Sequence, residues 1–334
     1  MKQRWLRISL LIIAVLAVIY FSGPAPASPV FDHNLPPVPQ EAGALMQYVQ
    51  QREAAHRLKP DNEARIIWHD TTHRKTPYAV VYLHGFSASQ KEGDPVHLDF
   101  ARRFGCNLYL SRLDGHGIDT SDPLLHMTAA GLWKDAEAAL SVGKALGDKV
   151  ILMTTSTGGT LGLMLAAAYP NDVYALINMS PNIAINDKLA FLVNDHWGLQ
   201  LARLVSKGDF RQTREEDPVR AQYWNSDYRL EAVVQLQNLL EAGMHAATFN
   251  KIHQPVLNMY YYKDAQHQDP TVRVSAILQM TQQLGTPDSL KIAVPIPGAG
   301  GHVLGSSLIS KDIPAVERTV NAFAQEKLKM IPVQ

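Results

Sequence analysis

A serine in the middle of the chain has the surroundings of a nucleophile. Residues 150–160 read Val-Ile-Leu-Met-Thr-Thr-Ser-Thr-Gly-Gly-Thr, an apolar run followed by small residues. This pattern predicts a strand, a sharp turn at Ser156 and a helix, and such a turn exposes the serine hydroxyl above the sheet. The usual motif has glycine two residues before and two after the serine, whereas this chain has Thr154 and Gly158. The alternative is that Ser156 only caps the following helix, a common role for serine.

A histidine near the C-terminus has the position expected of a general base. His302 lies in the glycine-rich stretch Gly-Ala-Gly-Gly-His-Val, directly after the last predicted strand. Because the chain has thirteen histidines, a position near the C-terminus alone carries little weight. A loop at the carboxyl end of a strand, however, lies where a base can reach the serine hydroxyl. We therefore predict that His302 is the base for Ser156.

A third motif predicts donors for a developing oxyanion. The sequence Tyr-Leu-His84-Gly-Phe86-Ser follows an apolar strand, so a turn there can direct a backbone N–H towards the reacting carbonyl. We predict that the N–H of Phe86 pairs with that of Thr157, the residue after the nucleophile. His84 is expected to shape this loop rather than to transfer protons.

In their order along the chain, these motifs resemble those of the α/β-hydrolase family. The similarity is greatest to its lysophospholipase and monoacylglycerol-lipase branch and covers roughly residues 78–328. It implies a Ser–His–acid triad, an oxyanion hole at Phe86 and Thr157, a helical cap, and no metal or organic cofactor. It also implies a structural role for His116. The motifs are His84-Gly85-Phe86, Asp114-Gly115-His116-Gly117, the turn at Ser156, and Gly301-His302.

The resemblance leaves two aspartates as candidates for the acid. Asp264 matches the family's spacing between the preceding strand and the acidic residue, whereas Asp269-Pro-Thr-Val matches its acid-x-x-Val element before the next helix. The acid must accept a hydrogen bond from Nδ1–H of His302. Both loop positions allow this, and we favour Asp269 with Asp264 as the alternative.

The elements around these motifs predict an α/β fold with a mostly parallel sheet and helices on both faces, because short apolar runs alternate with longer helical stretches. We expect the core to comprise residues 61–181 and 253–334. The strand candidates are 64–70, 78–83, 108–110, 150–153, 174–179, 256–262 and 291–295. The helix candidates outside the interval 182–252 are 41–58, 96–104, 129–146, 158–169, 272–284 and 313–328.

The interval 182–252 interrupts this alternation, since it has helical stretches at 188–197 and 229–242 but no strand signal. We expect an inserted helical lid, the cap of the family. Its apolar residues predict an underside facing the site or packing on the core, and its charged residues predict a solvated top. The former are Phe191, Leu192, Trp197, Leu199 and Leu201, and the latter are Arg211, Arg214, Glu215 and Glu216.

The N-terminus has the composition of a targeting segment. Lys2, Arg4 and Arg7 precede an apolar run, and Ala25-Pro-Ala27 offers small residues at a cleavage position. Residues 1–27 are therefore predicted to be a signal peptide or an uncleaved signal anchor, and residues 28–60 a linker and an N-terminal helix. Either alternative places the protein outside the cytoplasm, as a membrane-anchored, secreted or periplasmic protein.

Composition excludes several classes of function. The chain has 334 residues with 31 basic and 31 acidic side chains and no long run of either sign, so a nucleic-acid surface is not expected. Its single cysteine, Cys106, allows neither an intramolecular disulfide nor a thiolate metal cluster. Its apolar neighbours favour a place in the core, although a thiol or redox enzyme using Cys106 is the competing interpretation.

These observations favour a serine hydrolase that cleaves carboxylic esters, with an acyl ester or a lipid as substrate. Peptidases, thioesterases and acyltransferases share the same triad and stay open as alternatives. A further alternative is a non-catalytic, membrane-tethered binding protein that retains the fold. A serine rather than an aspartate at residue 156 disfavours dehalogenase chemistry, which the resemblance would otherwise allow.

Overall fold

The computed structural model describes residues 2–213 and 217–333. Two short 3-10 helices span Gln90–Gly93 and Ala190–Asn194. The strands are β1 (Arg65–Ile67), β2 (Thr76–Leu83), β3 (Asn107–Leu110), β4 (Gly147–Thr155), β5 (Val173–Met179), β6 (Phe210–Gln212), β7 (Asp227–Arg229), β8 (Val256–Tyr260) and β9 (Lys291–Pro295). The helices are α1 (Lys2–Phe21), α2 (Ala42–Ala54), α3 (Val96–Phe104), α4 (Ala129–Leu146), α5 (Thr157–Ala168), α6 (Gly198–Ser206), α7 (Pro218–Tyr223), α8 (Leu230–Gly243), α9 (Ala246–Phe249), α10 (Val274–Gln283) and α11 (Ile313–Glu326).

The main sheet has seven strands in the order β1-β3-β2-β4-β5-β8-β9. All neighbouring pairs are parallel except β1 with β3, which is antiparallel. Since the carboxyl ends of parallel strands meet at one edge of a sheet, the loops after β2, β4, β8 and β9 lie along the same edge. The predicted fold class, a mostly parallel sheet covered by helices, is confirmed.

Alternating side chains of β2 divide the core between the two faces of the sheet. Val81 packs in the cluster that contains the apolar faces of α4, α5 and α10. Its neighbours Val80 and Tyr82 pack in the cluster that contains those of α3 and α11. Because both faces are covered, the strands are almost wholly apolar, and polar residues within them therefore stand out.

Local signals explain where several helices begin and end. The side chain of Thr128 accepts a hydrogen bond from the N–H of Gly131 at the start of α4. Asp312 caps α11 in the same way, through the N–H of Ala315. Helix α3 ends where Gly105 adopts a φ of 66°, a conformation that glycine reaches without a steric penalty. The helices predicted at 96–104 and 129–146 have these bounds in the structure.

Residues 182–252, which we call the insertion, contain α6, α7, α8, α9 and the pair β6–β7. The expectation that this interval has no strand is wrong, because Phe210 to Gln212 pairs antiparallel with Asp227 to Arg229. Strands of three residues are too short to display an alternating pattern. The predicted apolar underside is also wrong in part, since Phe191, Leu192 and Leu201 are exposed. Arg211 is exposed as expected, and Arg214, Glu215 and Glu216 lie outside the described residues.

The N-terminal segment lies against the insertion. Helix α1 is long and apolar enough to cross a membrane, a property that signal sequences share. Trp197 donates its indole N–H to the carbonyl of Ile19 at 3.0 Å and its backbone N–H to that of Pro24 at 2.9 Å. Asn238 Nδ2 donates to the carbonyl of Ala27 at 2.8 Å. The segment that follows α1 is therefore held on the folded body.

Candidate active site

Ser156 occupies a strained turn between β4 and α5. Its φ of 52° and ψ of −116° lie outside the regions that non-glycine residues prefer. The turn is held on both sides, because Ser156 N–H donates to the carbonyl of Met179 at 3.0 Å and Asn182 N–H donates to the carbonyl of Ser156 at 2.9 Å. A Cβ on Gly158 would lie 2.0 Å from the carbonyl oxygen of Leu83, so this position requires glycine. Ser156 is 6% exposed, and backbone strain of this kind is concentrated at functional sites.

Thr154, the departure from the usual motif, has its own hydrogen-bonding partner. Its hydroxyl donates to Asn178 Oδ1 on β5 at 2.7 Å. Asn178 Nδ2 donates to Asn258 Oδ1 on β8 at 2.8 Å, and Asn258 Nδ2 donates to Thr281 Oγ1 on α10 at 2.9 Å. These four buried side chains, the polar ladder, cross three neighbouring strands beneath the turn. Space for the threonine methyl comes from Gly162, where a Cβ would lie 3.0 Å from it.

Sequence reasoning missed the polar ladder. Its signal was an asparagine within each of two apolar strands, Asn178 in β5 and Asn258 in β8. Only the strand register, which places these two residues side by side, turns that signal into a contact.

His302 and Asp269 are brought together at the same edge of the sheet. His302 Nδ1 lies 2.7 Å from Asp269 Oδ2. Because an ionised carboxylate only accepts, Nδ1–H is the donor, and Nε2 is left to accept a proton. The other oxygen of Asp269, Oδ1, accepts from the N–H groups of Thr271 at 2.8 Å and Val272 at 3.0 Å. Asp269 follows β8, His302 follows β9 and Ser156 follows β4.

Burial and charge act in opposite directions on this pair. Burial alone would lower the pKa of His302, but the charge of Asp269, its hydrogen bond and the charge of Glu92 together raise the pKa above the ordinary value. Burial alone would raise the pKa of Asp269, but the charge of His302, its hydrogen bond and two backbone N–H groups leave the pKa below the ordinary value. The arrangement therefore favours an ionised aspartate beside a basic imidazole.

The alternative acid, Asp264, lies in a different environment. Its side chain is 49% exposed and contacts Nδ1 of His267 at 2.9 Å. It also accepts from the backbone N–H groups of Gln266 at 2.9 Å and His267 at 2.8 Å, as a turn-capping aspartate does. Its carboxylate is thus engaged within its own turn.

Two neutral histidines hold the loop after β2, residues 84–88, which we call the oxyanion loop. His84 Nε2 accepts from Leu113 N–H at 3.1 Å while its Nδ1 lies 2.9 Å from the carbonyl of Gly85. His116 Nε2 accepts from Ser87 N–H at 3.0 Å while its Nδ1 lies 2.8 Å from the carbonyl of Asp114. Burial lowers the pKa of His116 to about 4, so that its ring stays neutral near pH 7. Each ring therefore acts as one donor and one acceptor between two loops.

The two predicted oxyanion donors lie in different elements: Phe86 in the oxyanion loop and Thr157 at the start of α5. The N–H of Gly85 donates to Glu92 and that of Ser87 to His116, whereas no partner among the described residues occupies the N–H of Phe86 between them. Thr157 begins α5, where the first N–H groups of a helix have no intrahelical acceptor. A helix N-terminus also favours a nearby negative charge.

The insertion contacts the oxyanion loop directly. Asn225 N–H donates to the carbonyl of Ser87 at 2.7 Å. The rings of Phe86 and Tyr228 meet edge to face, with centroids 5.0 Å apart. The insertion is thus attached to the loop that carries Phe86, one of the two predicted oxyanion donors.

The competing nucleophile is not accessible. Cys106 is buried before β3 and donates to the carbonyl of Phe104 at 3.7 Å. Burial raises the pKa of its thiol to about 12, which keeps it protonated and unreactive. Within residues 2–213 and 217–333, no three His, Cys, Asp or Glu side chains are arranged to hold a metal ion.

Comparisons with known proteins find structural but not sequence relatives. No family model matches the chain, and no curated protein matches its sequence. A structure of LipS and LipT, two metagenome-derived lipolytic enzymes, has a TM-score of 0.63 at 16% identity and covers 80% of this chain and 100% of that one. A monoacylglycerol lipase from Paleococcus ferrophilus has a TM-score of 0.55 at 14% identity, covering 77% and 95% of the two chains. A soluble variant of monoglyceride lipase from Saccharomyces cerevisiae, in complex with a substrate analogue, has a TM-score of 0.56 at 16% identity. That match covers 80% of this chain and 90% of the other.

The fold is therefore that of the α/β-hydrolases, as the motifs predicted. Structural similarity at identities this low shows the fold alone and leaves the activity to be argued from the site itself.

Proposed function

We propose that this protein is a serine hydrolase that cleaves carboxylic esters through an acyl-enzyme on Ser156. The observation that carries the proposal is the strained turn at Ser156, on the sheet edge where His302 is hydrogen-bonded to the buried Asp269. The similarity in fold to lipases and esterases supports an ester as the substrate.

The proposed reaction follows from the roles of the three side chains. His302 Nε2 takes the proton of the Ser156 hydroxyl as Oγ attacks the ester carbonyl, and Asp269 stabilises the imidazolium. The N–H groups of Phe86 and Thr157 bind the oxyanion of the tetrahedral intermediate. The imidazolium then protonates the departing alcohol, which leaves the acyl group on Ser156. Water, deprotonated by His302, releases the acid and restores the serine.

The insertion is proposed to be the cap of the site and to face a membrane. Leu201, Leu204 and Val205 share one side of α6 at i, i+3 and i+4, and the last two are 75% and 82% exposed. Helix α1 ends beside Trp197, directly before α6. An exposed apolar face beside an apolar helix suits a lipid surface, with the indole at the interface.

The protein is further proposed to be exported and to keep α1 as a membrane anchor. Support comes from the hydrogen bonds that Trp197 and Asn238 make to the carbonyls of Pro24, directly before the cleavage motif, and of Ala27, its last residue. An ester of a membrane lipid is the substrate class that this placement favours.

A fluorophosphonate probe tests the proposed nucleophile. The native protein should be labelled, the variant Ser156→Ala should not, and Ser141→Ala should be labelled as the native protein is. Ser141 is a matched control because it is a buried serine of α4, away from the turn. A native protein that resists the probe would contradict the enzyme and favour the binding-protein alternative.

A substrate panel tests the choice of ester. p-Nitrophenyl esters of increasing acyl length should be hydrolysed, and the corresponding amides should be poor substrates. Faster hydrolysis of amides would overturn the esterase assignment in favour of a peptidase. Thiol alkylation should leave the activity unchanged, because Cys106 is buried.

A further inference from the structure

Glu92 is a buried carboxyl that the proposed reaction does not use. It lies in the 3-10 helix Gln90–Gly93 that follows the oxyanion loop and is 3% exposed. Its Oε2 accepts from the N–H of Gly85 at 2.6 Å. A Cβ on Gly85 would lie 2.8 Å from that oxygen and 3.0 Å from Cβ of Ser156. The carboxyl and the proposed nucleophile therefore flank the same glycine.

Glu92 also joins the insertion and the loop of the proposed base. It accepts a side-chain hydrogen bond from Trp224, a residue of the insertion whose neighbour Asn225 donates to the oxyanion loop. A Cβ on Gly305, three residues after His302, would lie 3.2 Å from the carbonyl oxygen of Glu92. One residue thus contacts the three segments whose mutual positions define the site.

The charge of Glu92 acts on His302. Burial raises the pKa of Glu92 to about 7, and the charge of His302 and the bonds from Gly85 and Trp224 oppose a larger rise. In return, the charge of Glu92 contributes to the raised pKa of His302.

The other titratable groups near Glu92 are neutral or paired near pH 7. Burial raises the pKa of Tyr82 well above its ordinary value and lowers that of His97 to about 4. Burial also lowers the pKa of His84 well below its ordinary value. Lys91 and Asp94 form an ion pair with each other, so their charges largely cancel.

From these contacts we propose that Glu92 is a positioning residue of the active site, whose carboxylate holds the Gly85–Phe86 turn and Trp224 in one arrangement beside the loop of His302. This inference rests on the proposed function, because it assigns Glu92 a place beside the proposed base. It adds a second carboxyl to the pair formed by His302 and Asp269.

The variant Glu92→Gln tests the proposal, because it removes the charge while keeping the size of the side chain. An NMR titration of the His302 imidazole should show a pKa about 0.5–1 unit lower than in the native protein, since a nearby negative charge has been removed. The acidic limb of kcat/KM for a p-nitrophenyl ester should move to lower pH by a similar amount. Glu137→Gln is the matched control, because Glu137 is a buried carboxyl on α4 that accepts a hydrogen bond from Tyr169 at the end of α5. It should leave both quantities unchanged.

A second variant decides the matter if Glu92→Gln does not fold. Trp224→Phe keeps an aromatic ring but removes the N–H that stabilises the carboxylate, so Glu92 should be less ionised near pH 7. The pKa of His302 should then fall in the same direction and by less. If His302 titrates as in the native protein in every variant that folds, the proposal is overturned. This outcome is distinct from failure of the proposed function, because the titration requires no turnover, whereas that failure would be seen as a native protein that fluorophosphonates do not label.

Discussion

The two carboxylate oxygens of Asp269 accept hydrogen bonds from different partners. Oδ2 contacts Nδ1 of His302, while Oδ1 accepts the N–H groups of Thr271 and Val272. The backbone bonds fix the rotation of the carboxylate, so the hydrogen bond in turn fixes the orientation and tautomer of the imidazole.

Replacement of Asp269 by asparagine should abolish this control. An amide N–H2 facing Nδ1 favours the tautomer with the proton on Nε2, which cannot accept the serine proton, and kcat should fall by about four orders of magnitude. Steady-state kinetics with a p-nitrophenyl ester measure the loss. Asp264→Asn is the matched control and should retain most of the native kcat, because Asp264 is engaged with His267. A larger loss in Asp264→Asn would reverse the assignment.

The raised pKa of His302 predicts the pH dependence of activity. The base must be neutral to accept a proton, so kcat/KM should fall as the pH decreases through the pKa of His302. The midpoint of this acidic limb should lie above about 6.5, the ordinary value of histidine. A pH profile of kcat/KM checks the prediction, and a midpoint below that value would contradict it.

At the scale of elements, the turn between β4 and α5 depends on its neighbouring strands. Its N–H and carbonyl bind residues at and after the end of β5, and Thr154 connects it through the polar ladder to β8 and α10. A buried polar network of this kind is stabilising only while every member has a partner.

Removal of the first member should therefore destabilise the fold. Thr154→Val leaves Asn178 Oδ1 without its donor in a buried site, and the free energy of unfolding should fall by about 1–3 kcal/mol. Urea unfolding measures the change. Thr154→Ser retains the hydroxyl and should lose less. If Thr154→Val were as stable as the native protein, the ladder would contribute nothing to stability.

At the scale of the whole molecule, α1 and the insertion each expose apolar side chains, which the proposed function places at a membrane. The hydrogen bonds of Trp197 and Asn238 to the segment after α1 bring the two together. The exposed residues Leu204 and Val205 lie on the helix that follows Trp197.

Deletion of residues 1–27 tests the proposed anchor, because it removes α1 and leaves the rest of the chain. The truncated protein should hydrolyse a soluble short-chain ester as the full chain does but should no longer float with phosphatidylcholine vesicles. The full chain is the control in the same flotation experiment. Equal flotation of both proteins would show that α1 is not the anchor. A measured mass of the exported protein that corresponds to a chain beginning at Ser28 would show that α1 is cleaved.

Much of the fold was predictable because its signals are local. The alternation of apolar strands and amphipathic helices indicated a mostly parallel sheet, and helix caps such as Thr128 set the boundaries. The strands β6 and β7 were missed because three residues are too few to show the alternation of apolar and polar side chains that marks a strand. Their pairing also joins segments that are distant in the sequence.

The residues of the candidate site likewise fall into those that local motifs predict and those that only tertiary contacts reveal. Ser156, His302, Phe86 and Thr157 were identified from the sequence because each lies in a short motif, and their catalytic roles stay predictions. The sequence favoured Asp269 but kept Asp264 as the alternative, because both lie in the loop after β8. Tertiary structure distinguishes them, since burial and the contact with His302 belong to Asp269. The polar ladder and the contacts of Glu92 likewise depend on side chains from different strands and loops, which only the packed chain brings together.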